Sequence, residues 1–110
     1  MIVLNFGTIL HHAAWYVNRI ITGIYLIFDV SDAKGYVGSA YGSDNLLSRW
    51  SEYGASGHGG NKQLWNRIPE NFRFSILQLV AQDMPADAVV VLEAAWKDRL
   101  HTREFGLNDN

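Results

Sequence analysis

Two short segments rich in β-branched and aromatic residues constrain the fold of this chain most strongly. They are Gly23 to Val30 (GIYLIFDV) and Gly35 to Ala40 (GYVGSA), and the small and polar residues SDAKG lead from one to the other. β-Branched and aromatic side chains favour a pleated, half-buried surface, whereas Ser, Asp and Gly favour a turn. The sequence therefore predicts a β-hairpin.

The register of this hairpin decides which side chains meet, because successive side chains of a strand point to opposite faces. A turn centred on Asp32–Ala33 places Asp29 opposite Tyr36. Tyr25, Ile27, Asp29 and Tyr36 then share one face. A slip of one residue would separate the two tyrosines.

A helix is predicted for residues 43–53 (SDNLLSRWSEY), which open with good N-cap residues. Its apolar side chains fall within one sector: Leu46, Leu47, Trp50 and Tyr53. Arg49 precedes Tyr53 by four residues, so the two side chains stack at the edge of that sector. Such a pair is expected where a buried face meets a cleft.

A third strand and a long helix are predicted in the second half of the chain. Residues 72–80 (FRFSILQLV) suit a strand, and residues 86–100 have helical periodicity after Pro85. The predicted buried stripe of this helix consists of Val89, Val90, Trp96 and Leu100. Glu93 falls inside the stripe, where an unpaired carboxylate would be costly. A partner for Glu93 is therefore expected.

The remaining segments complete an α+β fold, a small three-stranded antiparallel or mixed β-sheet flanked by helices. A helix is predicted from Leu4 to Arg19, a loop over the glycine-rich residues 54–61 (GASGHGGN), and a short helix from Lys62 to Ile68. We expect one domain over residues 1–110, with an N-terminal helical segment at 1–19 and the core of the domain at 20–110.

The composition is that of a soluble globular domain, with 110 residues, 48% hydrophobic and 18% charged. The apolar stretch from Ile20 to Phe28 is interrupted and too short to span a bilayer, so we expect no membrane association and a cytoplasmic location. The absence of cysteine excludes disulfides, thiolate zinc sites and a cysteine nucleophile.

The net charge of −2 counts mildly against nucleic-acid binding, because dedicated binders are usually basic. A local basic face would have to overcome it. The candidates for such a face are Arg49, Lys62, Arg67, Arg73, Lys97 and Arg103. For any one of them alone, a solvated surface charge is the simpler interpretation.

Several residues match, in order, the signature of a nuclease family. Gly23-Ile24-Tyr25 and Tyr36-Val37-Gly38 resemble the two halves of the GIY-YIG signature, with Val for Ile in the second half. The resemblance continues through Arg49, Tyr53, Glu93 and Asn108. A lone GIY is a weak motif, but these elements in register are specific. The stretch YVGSAYG…RW…Y…GHGGN, with FGLN near the end, resembles a bacterial subgroup of the GIY-YIG nuclease family.

The resemblance implies a three-stranded sheet flanked by helices and hydrolysis of DNA phosphodiester bonds by an activated water. It also implies a divalent metal, Mg²⁺ or Mn²⁺, held by Glu93. A hard cation prefers oxygen ligands and can be bound through one carboxylate together with a substrate phosphate. An ion pair between Glu93 and Lys97, at the favourable i, i+4 spacing, is the alternative explanation for this glutamate.

The resemblance also implies roles for the other signature residues. Tyr25 and Tyr36 lie near the attacking water, and the pair jointly supplies the general base, as phenolate or through a metal-polarised water. The alternative is that both are ordinary half-buried strand aromatics. Arg49 offers a fork of donors to phosphate. Tyr53 stands where some relatives carry histidine, and Asn108 orders the glutamate or the substrate backbone.

Three further residues are candidates for contact with the substrate phosphate beside Arg49: His58, Lys62 and Lys97. For His58, in the glycine-rich loop, a solvated histidine is the simpler interpretation. His11 and His12 are adjacent and cannot share a helical face, so no zinc site is expected.

The sequence favours a metal-dependent endonuclease acting on duplex DNA. One alternative is a catalytically silent DNA- or protein-binding module of the same fold. Another is a nuclease directed to single strands or RNA, for which Trp65 and Phe72 are the candidate stacking aromatics. Double-strand cleavage needs a dimer or two separate nicks, and the sequence leaves the oligomeric state open.

Overall fold

Four β-strands and one long α-helix form the regular structure of the described residues. A computed structural model describes residues 3–5, 21–46, 48–50, 53 and 62–110. The elements are β1 (Val3–Asn5), β2 (Thr22–Asp29), β3 (Lys34–Ala40), β4 (Phe72–Val80) and α1 (Ala86–Leu100). Short 3-10 turns span Lys62–Leu64 and Pro69–Asn71, and residues 46, 48–50 and 53 are helical. None of the helices within these ranges is long and apolar enough to cross a membrane.

The strands form one antiparallel sheet in the order β1-β4-β2-β3. β2, β3 and β4 confirm the predicted three-stranded sheet, and β1 extends it beside β4. The predicted N-terminal helix is wrong at its start, because Leu4 and Asn5 pair with β4 as part of β1. The rest of that prediction, residues 6–20, and the glycine-rich loop at 54–61 lie outside the described residues.

The short helix predicted from Lys62 to Ile68 is limited to a single 3-10 turn, Lys62–Leu64. Asn66 follows with a φ of 68°, in the left-handed region, which no right-handed helix can contain. The chain therefore turns before it reaches β4.

β2 and β3 form the predicted hairpin, with a register two residues away from the predicted one. Ile27 lies opposite Tyr36, and Tyr25 lies opposite Gly38. A shift of two residues leaves every side chain on its face, because side chains alternate with a period of two. Tyr25, Ile27, Asp29 and Tyr36 therefore share one face as predicted.

Both faces of the sheet are covered. On one face α1 packs through Val89, which is fully buried with Ile24 and Val37. The larger core covers the other face and contains Tyr25, Ile27, Ala40, Leu46, Trp50, Tyr53, Leu64, Phe72, Phe74 and Leu107. Each large apolar side chain that is fully buried stabilises the fold by about 1.5–3 kcal/mol.

The buried stripe of α1 is narrower than predicted. Val89 is fully buried, but Val90 is 54% exposed and Leu100 is 39% exposed. Val90 lies about 100° around the helix from Val89 and faces solvent, and Leu100 is the last residue of the helix. Lys97, in contrast, is buried, although the predicted buried stripe did not include it.

A charged cluster links the tip of the hairpin to the segment before β4. Arg67 Nη1 donates to Asp29 Oδ2 and Asp32 Oδ2, both at 2.9 Å, and the main-chain N–H of Ser31 donates to Asp29 Oδ1 at 2.9 Å. Burial acts to raise the pKa of the Asp29 carboxyl, but the hydrogen bonds from Ser31 and Arg67 together hold this pKa below its usual value. The buried carboxylate is therefore charged and paired.

We expect Arg67→Met to lower the free energy of unfolding by about 2 kcal/mol at neutral pH, because it leaves the Asp29 carboxylate short of a charged donor. Asp29 has a lowered pKa in the folded state, so its contribution is present above the unfolded pKa of about 4 and is lost as the pH falls below it. Urea unfolding at several pH values would check this.

The matched control is Arg103→Met, which removes an arginine paired with the exposed Asp98. It should change the free energy of unfolding by less than about 1 kcal/mol. Equal losses in the two variants, or a loss for Arg67→Met that does not diminish at low pH, would contradict the assigned role of the cluster.

Candidate active site

A cleft of about 380 Å³ opens beside the edge strand β3. Its lining consists of Tyr25, Tyr36, Ser39, Tyr41, Asp44, Arg49 and Glu93. The two signature tyrosines reach it from the face of the sheet that carries the larger core, whereas Glu93 reaches it from α1 on the opposite face. The cleft thus brings together four of the six catalytic residues that the resemblance implied.

Tyr53 is the centre of a hydrogen-bond network behind this cleft. Its hydroxyl lies 3.1 Å from Tyr25 Oη, accepts a hydrogen bond from Arg49 Nη2 at 3.4 Å, and also bonds to Tyr36. The Tyr53 ring is fully buried, with its centroid 6.2 Å from that of Tyr25 and 6.3 Å from that of Tyr36. Tyr53 therefore holds its three neighbours in place and does not itself line the cleft.

Burial controls the ionisation of two of these tyrosines. It raises the pKa of Tyr25 to about 12, and the hydrogen bonds from Tyr53 and Arg49 oppose this only in part. Burial, and then the neighbouring Tyr25, raise the pKa of Tyr53 as well. Both hydroxyls are therefore neutral at physiological pH.

The signature glycines are explained by close packing. A Cβ atom at Gly38 would lie 2.5 Å from Tyr25 Oη and 2.6 Å from Tyr25 Cζ, so the tyrosine ring occupies the space of a side chain. A Cβ atom at Gly23 would lie 2.4 Å from the main-chain oxygen of Gln78 in β4. Glycine in a strand commonly marks such a close approach. The glycine at position 38 lets the Tyr25 ring lie across β3 and reach the cleft.

Glu93 is held by two partners at once. Ser39 Oγ donates to Glu93 Oε1 at 2.7 Å, and Lys97 Nζ lies 3.1 Å from Glu93 Oε2. The Glu93 side chain is 20% exposed, which lets it reach the cleft from within the apolar face of α1. The ion pair with Lys97 is present in the structure, and it coexists with the position of Glu93 in the cleft.

Of the residues predicted to contact a substrate phosphate, the structure places Arg49 in the cleft. Arg49 lines the cleft, and its guanidinium lies 5.8 Å from the centroid of the Tyr53 ring. Lys97 does not line the cleft, because its buried ammonium is bonded to Glu93 and Asn110, and its contact with phosphate stays a prediction. Lys62 is exposed but also does not line the cleft, and His58 lies outside the described residues.

Three of the six candidates for a basic face are paired with carboxylates of the protein. Arg67 pairs with Asp29 and Asp32, Arg103 pairs with Asp98, and Lys97 pairs with Glu93. A further candidate, Arg73, donates to main-chain oxygens. Arg49 is the member of the predicted set that lies in the cleft.

Asn108 binds the backbone of β3 rather than Glu93. Its Oδ1 accepts a hydrogen bond from the Val37 N–H at 2.8 Å, and its Nδ2 donates to the Val37 oxygen at 3.0 Å. The adjacent Leu107 N–H donates to the Gly35 oxygen at 2.8 Å. Asn108 was predicted to order the glutamate or the substrate backbone; the structure shows its amide bonded to the backbone of Val37, and a role toward the substrate stays a prediction. Its amide completes the outer edge of the strand that carries Tyr36.

Three lining residues were missed by the sequence analysis: Ser39, Tyr41 and Asp44. Asp44 and Asn45 are both suited to cap a helix, and only one of them can do so. Asn45 takes that role, because its Oδ1 accepts a hydrogen bond from the Ser48 N–H at 2.9 Å. Asp44 therefore faces the cleft. Two adjacent residues suited to cap the same helix were the signal in the sequence from which a second role for Asp44 could have been predicted.

The oxygen ligands of the cleft fit a hard divalent cation. Glu93 and Asp44 supply carboxylates, and Ser39 supplies a hydroxyl, with no sulfur or imidazole ligand among the lining residues. Mg²⁺ is commonly bound through one or two carboxylates and a substrate phosphate while it keeps several waters. Within the described ranges, no group of three or more His, Cys, Asp and Glu could enclose a metal ion. The donor set therefore fits a cation that the protein shares with a substrate.

We expect Asn108→Asp to lower the free energy of unfolding by about 3 kcal/mol, because it removes a donor and turns a carboxylate oxygen toward the Val37 oxygen in a buried position. Urea unfolding would measure the loss. The control is Gln82→Glu at an exposed residue, where a change within about 0.5 kcal/mol is expected. An Asn108→Asp variant of wild-type stability would show that this amide does not brace β3.

Comparison with known proteins agrees with this arrangement. The family model described as the GIY-YIG catalytic domain matches residues 21–108. The catalytic domain of the homing endonuclease I-TevI is similar in structure, with 26% sequence identity, a TM-score of 0.65, and coverage of 79% of this chain and 96% of that one. A mutant form of the catalytic domain of intron endonuclease I-TevI shares the fold, with 23% identity, a TM-score of 0.64, and coverage of 83% and 95%.

No curated protein matches the sequence. The family model nevertheless spans most of the chain, and it includes every signature residue of the cleft and of the network behind it. This chain belongs to the GIY-YIG catalytic domain family and is an endonuclease of that type.

Proposed function

We propose that this chain hydrolyses phosphodiester bonds of DNA with the help of a divalent cation, Mg²⁺ or Mn²⁺. The observation that carries the proposal is the single cleft lined by Tyr25, Tyr36, Arg49 and Glu93. The similar structures are named as endonuclease catalytic domains, which supports the same class of reaction.

A phosphodiester resists attack because it is anionic, so a catalyst must neutralise charge and activate water. Arg49 has the planar fork of donors that matches two phosphate oxygens. Its contacts with Tyr53 hold the guanidinium at the back of the cleft. Arg49 therefore orients the phosphate and stabilises the negative charge that develops on it.

Glu93 is the residue we assign to the cation, with Asp44 and Ser39 as nearby oxygen groups. A bound divalent cation would supply charge stabilisation and make a coordinated water more acidic. Ser39 fixes one carboxylate oxygen through the hydrogen bond of 2.7 Å, so the glutamate keeps one orientation as substrate arrives.

We assign the attacking water to Tyr36 rather than to Tyr25. Tyr25 is fully buried, its pKa is raised to about 12, and its hydroxyl bonds to Tyr53. Tyr36 lines the same cleft and is only partly buried. Tyr36 therefore assists removal of the water proton, and Tyr25 acts as a neutral group that holds the network together.

Duplex DNA remains the favoured substrate. Of the two aromatics that would stack on unpaired bases, Phe72 is fully buried in the core and Trp65 is 51% exposed. A stacking platform built from both is therefore excluded, which weakens the case for a single-strand or RNA substrate. The alternative of a silent binding module does not account for a charged glutamate and an arginine converging on one cleft.

Glu93→Gln should lower the rate of supercoiled-plasmid nicking by at least about 100-fold, because it removes the carboxylate charge while it keeps the size of the side chain. Nicking by the wild type should require Mg²⁺ or Mn²⁺ and should stop with EDTA. Gel quantification of nicked plasmid measures both effects.

Glu104→Gln is the matched control, since Glu104 is exposed and pairs with His101. This variant should nick at the wild-type rate. A well-folded wild type that cuts no DNA with either metal would instead favour the binding module, and filter binding of the same plasmid would detect it.

Tyr36→Phe should slow nicking by about 100-fold, the usual contribution of a group that transfers a proton.

Tyr25→Phe should lower the free energy of unfolding by about 1 kcal/mol through loss of a buried hydrogen bond. Its pH–rate profile should keep the wild-type shape between pH 6 and about 10, because Tyr25, with its pKa of about 12, stays neutral there. A changed profile in Tyr25→Phe would assign the proton transfer to Tyr25.

A further inference from the structure

Lys97 is a buried lysine whose ammonium is fully engaged. It is 5% exposed, and its Nζ lies 3.1 Å from Glu93 Oε2. The same nitrogen donates to the main-chain oxygen of Asn110 at 3.1 Å and to Asn110 Oδ1 at 3.2 Å. Lysine is rarely buried unless it is paired. The residue is therefore fixed against the carboxylate that we assign to the cation.

The charge of Glu93 is compensated by Lys97 before any substrate arrives. Asp44 and Arg49, of opposite charge, line the same cleft. Lys97 is also in direct contact with one of the two oxygens that Glu93 can offer, and Ser39 occupies the other. A divalent cation is thus attracted weakly by this site alone.

An incoming phosphate changes that balance, because it brings a further negative charge into the cleft. A cation between Glu93 and the phosphate would then be attracted by both. We propose that Lys97 is a positioning residue that keeps the cation affinity of Glu93 low until a DNA phosphate shares the cation. This inference rests on the proposed function, and it concerns the order in which cation and DNA bind.

The test is the affinity for Mn²⁺ alone, measured from the electron paramagnetic resonance signal of free Mn²⁺. Lys97→Met should bind Mn²⁺ about tenfold more tightly than the wild type, a coupling of ordinary size between neighbouring sites. Lys97→Arg keeps the charge and should bind like the wild type. Arg99→Met removes an exposed cation of the same helix, and it should also leave the affinity unchanged.

A duplex oligonucleotide provides the second half of the test. In the Tyr36→Phe background, which slows cutting, it should raise the Mn²⁺ affinity of the chain about tenfold. It should raise the affinity of the Lys97→Met form by clearly less. Glu93→Gln with the same duplex gives the background of Mn²⁺ bound by DNA itself.

A Lys97→Met variant that binds Mn²⁺ no more tightly than the wild type would overturn the inference. If the methionine variant does not fold by circular dichroism, Lys97→Gln retains hydrogen bonding to Asn110 and tests the same loss of charge. If the wild type nicks DNA with metal but the Lys97 variants bind Mn²⁺ with the wild-type affinity, only the role of Lys97 is refuted. Absence of both nicking and Mn²⁺ binding refutes the proposed function with it.

Discussion

The contact between the Tyr25 ring and the backbone of Gly38 is the constraint on which the rest of the site depends. Because residue 38 has no side chain, the ring crosses β3 and its hydroxyl reaches Tyr53. Tyr53 then gathers Arg49 and Tyr36 through a single oxygen atom. The absence of a Cβ atom at Gly38 in β3 therefore influences where Arg49, on the next element of the chain, can lie.

The opposite wall of the cleft is organised by charge. α1 carries Glu93 into a largely apolar layer, and its burial is tolerated because Ser39 and Lys97 satisfy both carboxylate oxygens. Elsewhere, Arg67 and Arg103 are paired with carboxylates. The pairing of these two arginines reduces the positive charge available outside the cleft, which agrees with the net charge of −2.

Local patterns in the sequence predicted the hairpin, the third strand and the long helix, whereas the site of Tyr25, Tyr36, Arg49 and Glu93 was implied by the family resemblance. The three predictions of elements succeeded because each depends on periodicity over a few neighbouring residues. The hairpin register was wrong by two residues, yet the face was right, because alternation is insensitive to an even shift.

Long-range pairing accounts for what the sequence did not reveal. Leu4 is part of a strand because its backbone pairs with β4. Lys97 is buried because its ammonium is bonded to Asn110 and Glu93. Nothing in the local pattern around either residue contains that information. The same holds for Asn108, whose role depends on a strand 71 residues earlier in the chain.

The pairing of Asn108 and Leu107 with β3 also affects whether copies of the protein can associate through this strand. An edge strand with open N–H and C=O groups is a template on which another chain can add a strand. Here a side-chain amide satisfies both main-chain groups of Val37, and Leu107 satisfies Gly35. β3 is therefore closed to strand addition along this stretch, and the cleft beside it stays accessible in a crowded solution.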